Sequence, residues 1–428
     1  MRRRLRVITL GCSKNTVDTE HLLAQLPADA FELVDGDVPV DCLLLNTCGF
    51  IGDAKEESVN AILEAVEAKK RGEAGSVVVF GCLSQRYPDE LPAEIPEVDA
   101  WFGARDLAPL LRYLGVEPGP LVTRRLTEAK GYAYLKISEG CDRRCSYCAI
   151  PLIRGAHRSV PMEDLVAEAE SLVAAGVREL ILIAQDTTYY GLDLYGRRAL
   201  GELIGRLSAI PGLVWIRIHY SYPADFPEDV LEVMARNPKV CKYLDIPLQH
   251  ISDPVLDCMR RHVDGAWTRA LIARLRREVP GVVLRTTMIV GHPGETQEAF
   301  EELLAFVREA RFERLGAFTY SEEEGTWGAE HFADDVPPQV KQERLDALMD
   351  LQREISLEYN RSRVGTELTV MVDAFLPEGG AVARSEFESP EVDGEILVRG
   401  VAPSVRVGDM IRVRIVAAEE YDLVAEAI

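Results

Sequence analysis

Cys141-Asp-Arg-Arg-Cys145-Ser-Tyr-Cys148 is the stretch on which the reading of this chain turns. It follows directly on residues 133–137, a short apolar run that reads as a buried strand. Three thiolates spaced C-x3-C-x2-C on one tight loop can hold three irons of a [4Fe–4S] cube and leave the fourth iron open. Zinc is the rival metal, but a structural zinc site wants four ligands. No fourth cysteine is near, and the closest histidine, His157, lies nine residues on. The cluster reading is preferred.

Working outward, the strand-then-helix pattern recurs about six times between residues 131 and 320. Candidate strands are residues 133–137, 179–184, 214–219, 243–246, 283–290 and 315–319, with amphipathic helices at 161–175, 266–278 and 295–311. Six such units predict a parallel sheet curled into a partial (β/α)6 barrel, its site at the carboxyl ends of the strands. A helical stretch from Pro338 to Arg363 leads away from it.

Upstream, residues 5–10, 41–46 and 76–80 read as short parallel strands of a doubly wound α/β unit. Asp53 is the expected N-cap of a helix reaching Lys70, with Glu56 at N3 completing a capping box. Cys12, Cys48 and Cys82 each fall just past a strand's carboxyl end, and in a doubly wound sheet those ends share one edge. Three distant thiols can therefore converge, and a second cluster with a vacant iron is expected there. Cys42, Cys241 and Cys258 fit neither set and read as core residues, since cysteine packs like a modest hydrophobe. Gly115 to Lys130, with Pro118, Gly119 and Pro120, is a candidate linker.

From Thr366 on, short alternating runs separated by glycine and acidic turns predict a small all-β barrel or sandwich. The chain has 428 residues, 47% hydrophobic and 28% charged, with a net charge of −22. No stretch approaches the ~18 apolar residues of a membrane span, and the apolar run after the opening Met-Arg-Arg-Arg, Val7 to Leu10, is too short for a signal segment. A cytoplasmic protein with no membrane partner is expected. Nine cysteines without a secretory signal argue for metal or redox chemistry rather than disulfides. No lysine follows Lys341, and residues 369–428 carry five arginines against twelve acids. A module gripping RNA phosphate should be basic. An acidic one suits a basic protein partner.

The six cysteines, the two α/β units and the β tail together resemble the radical S-adenosylmethionine methylthiotransferase family. The resemblance implies a methylthiotransferase domain over residues 1–119, a radical core over 127–360 and a TRAM domain over 364–428. It implies two [4Fe–4S] clusters and S-adenosylmethionine as both methyl donor and radical source. Tyr147, the aromatic residue before the last cysteine of the loop, Gln185 and Gly291 in the turn Gly291-His-Pro-Gly294-Glu295 would contact S-adenosylmethionine. Four segments look like the RimO branch: residues 139–145, Gln185 to Gly191, Arg217 to Pro223 and Tyr243 to His250. That branch adds a methylthio group to the β-carbon of an aspartate in small-subunit ribosomal protein twelve; the alternative branch modifies an adenosine of tRNA beside the anticodon. The implied partners are the basic ribosomal protein, free or in the small subunit, a reducing donor such as a flavodoxin or ferredoxin, and a sulfur source. Asp186 and His250, at strand ends, are expected to line the site without a catalytic role.

Overall fold

Three sheets in succession organise the computed structural model, which describes residues 2–428 except 37, 129 and 378. The first comprises β1 (Arg3–Thr9), β2 (Phe31–Leu33), β3 (Cys42–Thr47), β4 (Val77–Gly81) and β5 (Ala100–Trp101), all parallel, in the order β2-β1-β3-β4-β5. The order reverses between β1 and β3, which opens a crevice beyond their carboxyl ends. Apolar side chains pack on both faces of this sheet, as a buried parallel sheet requires. Helix α1 (Ser13–Ala24) leaves β1, α2 (Gly52–Lys70) follows β3, and α3 (Cys82–Arg86) follows β4. The α2 N-cap is Ile51, with no side-chain cap. Asp53 lies inside the first turn instead, where its charge suits the helix dipole.

The second sheet takes β6 (Tyr132–Lys136), β9 (Glu179–Ile183), β10 (Trp215–Ile218), β11 (Val240–Asp245), β12 (Val283–Val290) and β13 (Arg314–Thr319) in strict sequence order, all parallel. A two-strand ribbon, β7 (Ser138–Glu139) with β8 (Arg158–Ser159), brackets the cysteine loop. Because every crossover runs the same way and is right-handed, the helices gather on one face and the sheet curls away from them. Alternate residues such as Leu135, Leu182, Ile216, Leu244 and Leu284 fill the helix side as one core. The intervening residues face the open concavity. This is the expected partial barrel. Cys241 is buried on β11 and Cys42 on β3, but Cys258 is only partly buried at the end of a short helix and is no core residue.

The third unit is a closed barrel, β14-β15-β16-β18-β17, made of β14 (Glu367–Phe375), β15 (Ala381–Arg384), β16 (Ile396–Arg399), β17 (Met410–Ala418) and β18 (Leu423–Ala427). Its own core is small, built on Val370, Ile396, Val398, Val413 and Ile415. Between β15 and β16, residues 385–393 leave the small barrel and enter the concavity of the large one. Together with Arg384 they meet a side chain from every strand of that sheet. Glu391 accepts hydrogen bonds from the Tyr132 and Tyr134 hydroxyls of β6, each 2.9 Å. Arg384 pairs with Glu179 of β9, and Arg217 of β10 donates to the Glu386 carbonyl at 2.9 Å. Tyr243 of β11 donates to Asp393 at 2.7 Å, and Arg285 of β12 lies 3.6 Å from the same carboxylate. Arg314 of β13 and Arg363 reach Glu388 at 3.3 and 2.6 Å.

The acidic tail is therefore not the free surface its charge suggests. Glu388 and Asp393 sit against barrel cations, and Glu386 accepts the Lys242 N–H at 3.1 Å. Their charge binds the chain to itself. Burial alone would raise the Glu388 carboxyl, but Arg363 and Arg314 outweigh it and hold the group below its usual value. Such a carboxylate stabilises the fold above the ordinary Glu range near ~4.3 and loses that contribution as pH falls through its depressed value. Glu388→Ala strands two buried guanidinium groups and should cost about 3–5 kcal/mol in denaturant unfolding at pH 7. The gap from the parent chain should narrow below pH ~4. At the exposed Glu395, Glu395→Gln should move stability by only ~0.5 kcal/mol.

Candidate active site

The first three cysteines lie where the first sheet's strands end. Leu10 and Gly11 carry the chain from β1 to Cys12, which is exposed and N-caps α1. Gly11 has φ +92°, and a Cβ there would stand 2.8 Å from the Cys48 Cβ. Only glycine lets these two cysteine loops touch. Asn15 ties them: its amide donates to the Leu10 carbonyl at 2.8 Å and the Thr47 carbonyl at 3.2 Å. Cys48 is pinned by Ser58, which accepts its N–H at 3.0 Å and donates to its carbonyl at 2.8 Å. Cys82 opens α3, and Arg154 donates to its sulfur from Nε and Nη2 at 3.2 and 3.1 Å.

The second three stand at the mouth of the partial barrel. Gly140 (φ +77°) lies against the Ala156 carbonyl, 2.1 Å from where a Cβ would be, so the loop can start only with glycine. The Arg143 N–H donates to the Cys141 sulfur at 3.4 Å, and the Cys148 N–H to the Cys145 carbonyl at 3.2 Å. Arg261 donates to the Cys145 sulfur at 3.4 Å and to the Tyr147 hydroxyl at 3.3 Å. Burial pushes the Cys82 and Cys141 thiols up to about 12 and also raises Cys48 and Cys148. A metal must displace those protons to bind.

Both sets open on one cavity of about 380 Å³, lined by all six cysteines. Among the described residues no three Cys, His, Asp or Glu side chains converge enough to share a single metal ion. A cube asks for something different, one thiolate on each of three irons around a common space. The donors on the walls also fit an anionic cluster, since Arg143, Arg154 and Arg261 all line this cavity. A larger groove of about 590 Å³ beside Asp225, Asp257 and Trp267 contains none of the cysteines.

Tyr147 and Gln185 lie on the cavity wall, Gln185 donating to Glu139 at 2.8 Å. Gly291 does not. It is buried beneath the helix Pro338–Ser362, where a Cβ would meet the Lys341 side chain at 2.3 Å, and its N–H is held by Glu295 at 2.7 Å. Asp186 and His250 stand one layer back, contrary to expectation. One Asp186 oxygen caps the short helix Thr187–Tyr189 and the other accepts from Arg143 at 2.9 Å. His250 is fully buried, accepting the Ser252 N–H at 3.1 Å.

The wall also includes residues to which no motif assigned a role: Lys14 and Arg261, and, inside the segments that resemble the RimO branch, Arg143, Tyr220, Ser221, Tyr222 and Gln249. Tyr222 is sandwiched between the Arg143 and Arg261 guanidinium groups, 4.0 and 4.3 Å from its ring centre. Tyr220 and Gln249 have φ of 56° and 74°, a left-handed backbone that bulky residues adopt at a cost. The signal available in the sequence is the Tyr220-Ser-Tyr-Pro run at a strand end, too polar and aromatic for an ordinary βα turn.

Three family models match successive parts of the chain: an uncharacterized protein family, UPF0004, over residues 4–103, the radical SAM superfamily over 135–307, and the TRAM domain over 364–428. A radical S-adenosylmethionine methyltransferase, TsrM, from Kitasatospora setae shares the fold at a TM-score of 0.58 and 16% identity, covering 77% of each chain. Domain content defines a radical S-adenosylmethionine enzyme, and full-length relatives place it in the methylthiotransferase class. "Ribosomal protein uS12 methylthiotransferase RimO" of Porphyromonas gingivalis is 54% identical over 100% of this chain and 99% of its own. The protein of that name from Christiangramia forsetii is 52% identical over 99% of this chain and 94% of its own. The chain belongs to the RimO family.

Arg154→Met tests the contact that aligns the two cysteine sets. It strips Asp18 and Glu139 of a buried partner and should cost about 3–5 kcal/mol. Hydrogen exchange should quicken in α1 and β6 together while the small C-terminal barrel stays protected.

Proposed function

We propose that this chain transfers a methylthio group to the β-carbon of an aspartate in ribosomal protein uS12. The observation that carries the chemistry is the single cavity shared by Cys12, Cys48 and Cys82 with Cys141, Cys145 and Cys148. The substrate assignment rests on full-length relatives of that name, at 51–54% identity for several of them. Cys141, Cys145 and Cys148 would hold one [4Fe–4S] cluster and Cys12, Cys48 and Cys82 a second. Bound together with S-adenosylmethionine at Cys141, Cys145 and Cys148, the first would supply one-electron radical chemistry towards an unactivated C–H bond, and the second, at Cys12, Cys48 and Cys82, would take part in sulfur delivery.

The chain's own residues do the rest. Arg261 and Arg154 direct positive charge at the Cys145 and Cys82 sulfurs, and the Arg143 backbone N–H donates to the Cys141 sulfur. Tyr147 and Gln185 stand on the wall for S-adenosylmethionine, and Gly291 supports the barrel from behind. The packed aromatic wall of Tyr147, Tyr220 and Tyr222 limits water around a reactive species. Electrons would come from a reduced donor such as a flavodoxin or ferredoxin, sulfur from a separate source, and the work would be done in the cytoplasm. Among the described residues no helix is long and apolar enough to cross a membrane.

Anaerobic reconstitution should load about eight irons per chain. The triple variant Cys141→Ala, Cys145→Ala, Cys148→Ala should keep about four irons and lose S-adenosylmethionine cleavage. The triple variant Cys12→Ala, Cys48→Ala, Cys82→Ala should also keep about four, retain cleavage, and transfer no methylthio group. Full iron in that second variant would remove the N-terminal cluster from the model. Mass spectrometry of uS12 and of tRNA after turnover decides the substrate: a methylthio group on tRNA alone would overturn the uS12 assignment.

A further inference from the structure

Lys14 stands out among the cavity's cations. Arg143, Arg154 and Arg261 each have a carboxylate, carbonyl or sulfur partner. Lys14 is 8% exposed, lies two residues from Cys12, and points its ammonium at the Tyr220 ring, 3.2 Å from the centre. That ring is its one polar or aromatic partner among the described residues. A ring face compensates an ammonium only in part, so Lys14, with no carboxylate partner among the described residues, keeps charge to offer an acceptor in the cavity it lines. His219 nearby adds no second cation, since burial outweighs the pull of Asp245 and, with neighbouring cations, brings it down to about 3.

The same wall carries a second polar group without a protein partner. Ser221 follows Tyr220, is 1% exposed, and its hydroxyl has no hydrogen-bond partner among the described residues. Tyr220 and Ser221 are held rigidly: the Tyr220 N–H donates to the Asp245 carboxylate and the Ser221 N–H to the Asp245 carbonyl, each at 2.9 Å. A fixed hydroxyl and an unneutralised ammonium bordering one cavity make a seat for a small anion with two acceptor oxygens.

Resting on the functional reading above, we propose that Lys14 and Ser221 bind the side-chain carboxylate of the substrate aspartate and so present its β-carbon to the cavity. The β-carbon is one bond from that carboxylate. Holding the carboxylate fixes which C–H bond is offered. Lys14 comes from the N-terminal unit and Ser221 from the barrel, so the seat forms only where the two units meet. It would also reject an asparagine in the same place, because an amide cannot neutralise the ammonium.

The test is a double-mutant cycle with the reconstituted full-length chain and two substrates, uS12 and uS12 with its target aspartate replaced by asparagine. Lys14→Gln should raise KM for uS12 by ~30-fold or more, and Lys14→Arg should recover much of it. Ser221→Ala should raise KM by about fivefold. The parent enzyme's preference for aspartate over asparagine should nearly vanish in Lys14→Gln, the coupling expected of groups in contact. If Lys14→Gln discriminates as sharply as the parent, the inference is wrong. It is also wrong if the variant's loss tracks iron content or S-adenosylmethionine binding instead. Parent turnover of uS12 that Lys14→Gln leaves undiminished overturns this inference alone; absence of any parent turnover on uS12 overturns both readings.

Discussion

One guanidinium keeps the two halves of the site in register. Arg154, with its side chain 2% exposed, bonds Asp18 at 2.7 Å and Asn15 at 2.7 Å on the N-terminal unit, and Glu139 at 3.1 Å on the barrel side. Lys136 joins both carboxylates. Burial is the strongest single influence on Glu139 and would raise it, yet Lys136 and Arg154 together bring it down to about 2. An ion cluster at this depth is poor evidence for net stability, because desolvation offsets most of the attraction. Its value is geometric. Two cations and two carboxylates, one of them from the N-terminal unit, satisfy one another in a single arrangement, and that arrangement also places the arginine's remaining donors on the Cys82 sulfur.

The same logic recurs at the other end of the barrel. An open six-stranded sheet has a concave face that its own side chains cannot close, and here that face is polar: Tyr132, Tyr134, Glu179, Arg217, Tyr243, Arg285 and Arg314. Residues 385–393 fill it with matching carboxylates and carbonyls. The C-terminal barrel is thus joined to the catalytic unit by a plug rather than by a flexible tether. The lower concavity is closed by that plug, so the upper concavity, where the cysteines stand, is the part that remains open to ligands.

Local patterns in the sequence were sufficient for whatever depends on neighbours along the chain. Strand β12 ends where its β-branched run does, and both cysteine sets are visible because Cys12, Cys48 and Cys82 each follow a strand while Cys141, Cys145 and Cys148 share one short loop. What escaped was set by partners far apart. The capping box at Asp53 failed because the N-cap is Ile51, two residues earlier, which puts Asp53 inside the first turn. Gly291 sits in a turn that looks built for a ligand, but Lys341 and Glu295 already occupy the space and the N–H. Lys14 and Tyr220, 206 positions apart in the numbering, meet only after both units have docked.

Charge counted along a chain is not charge presented to a partner. The tail's excess of acid is the clearest case: Asp373, Glu386, Glu388 and Asp393 are engaged inside the tail or against the barrel, and half-exposed Glu391 shares Lys130 and two tyrosines. Facing solvent among the described residues are Glu395, Glu419, Glu420 and Glu426, with part-buried Asp409 and Asp422, against the exposed Arg399, Arg406, Arg412 and Arg414. Arg412 and Arg414 are themselves paired with Glu367. Exposed pairs of this kind contribute ~0–1 kcal/mol each and are screened within about 8–10 Å in physiological salt. Counted with Glu367 that surface keeps an excess of acid, but screening leaves it only a weak bias against RNA and towards a basic protein. Discrimination between a polypeptide and a nucleic acid must then lie where charges are buried and unscreened, which in this molecule is the cavity between the two sets of cysteines.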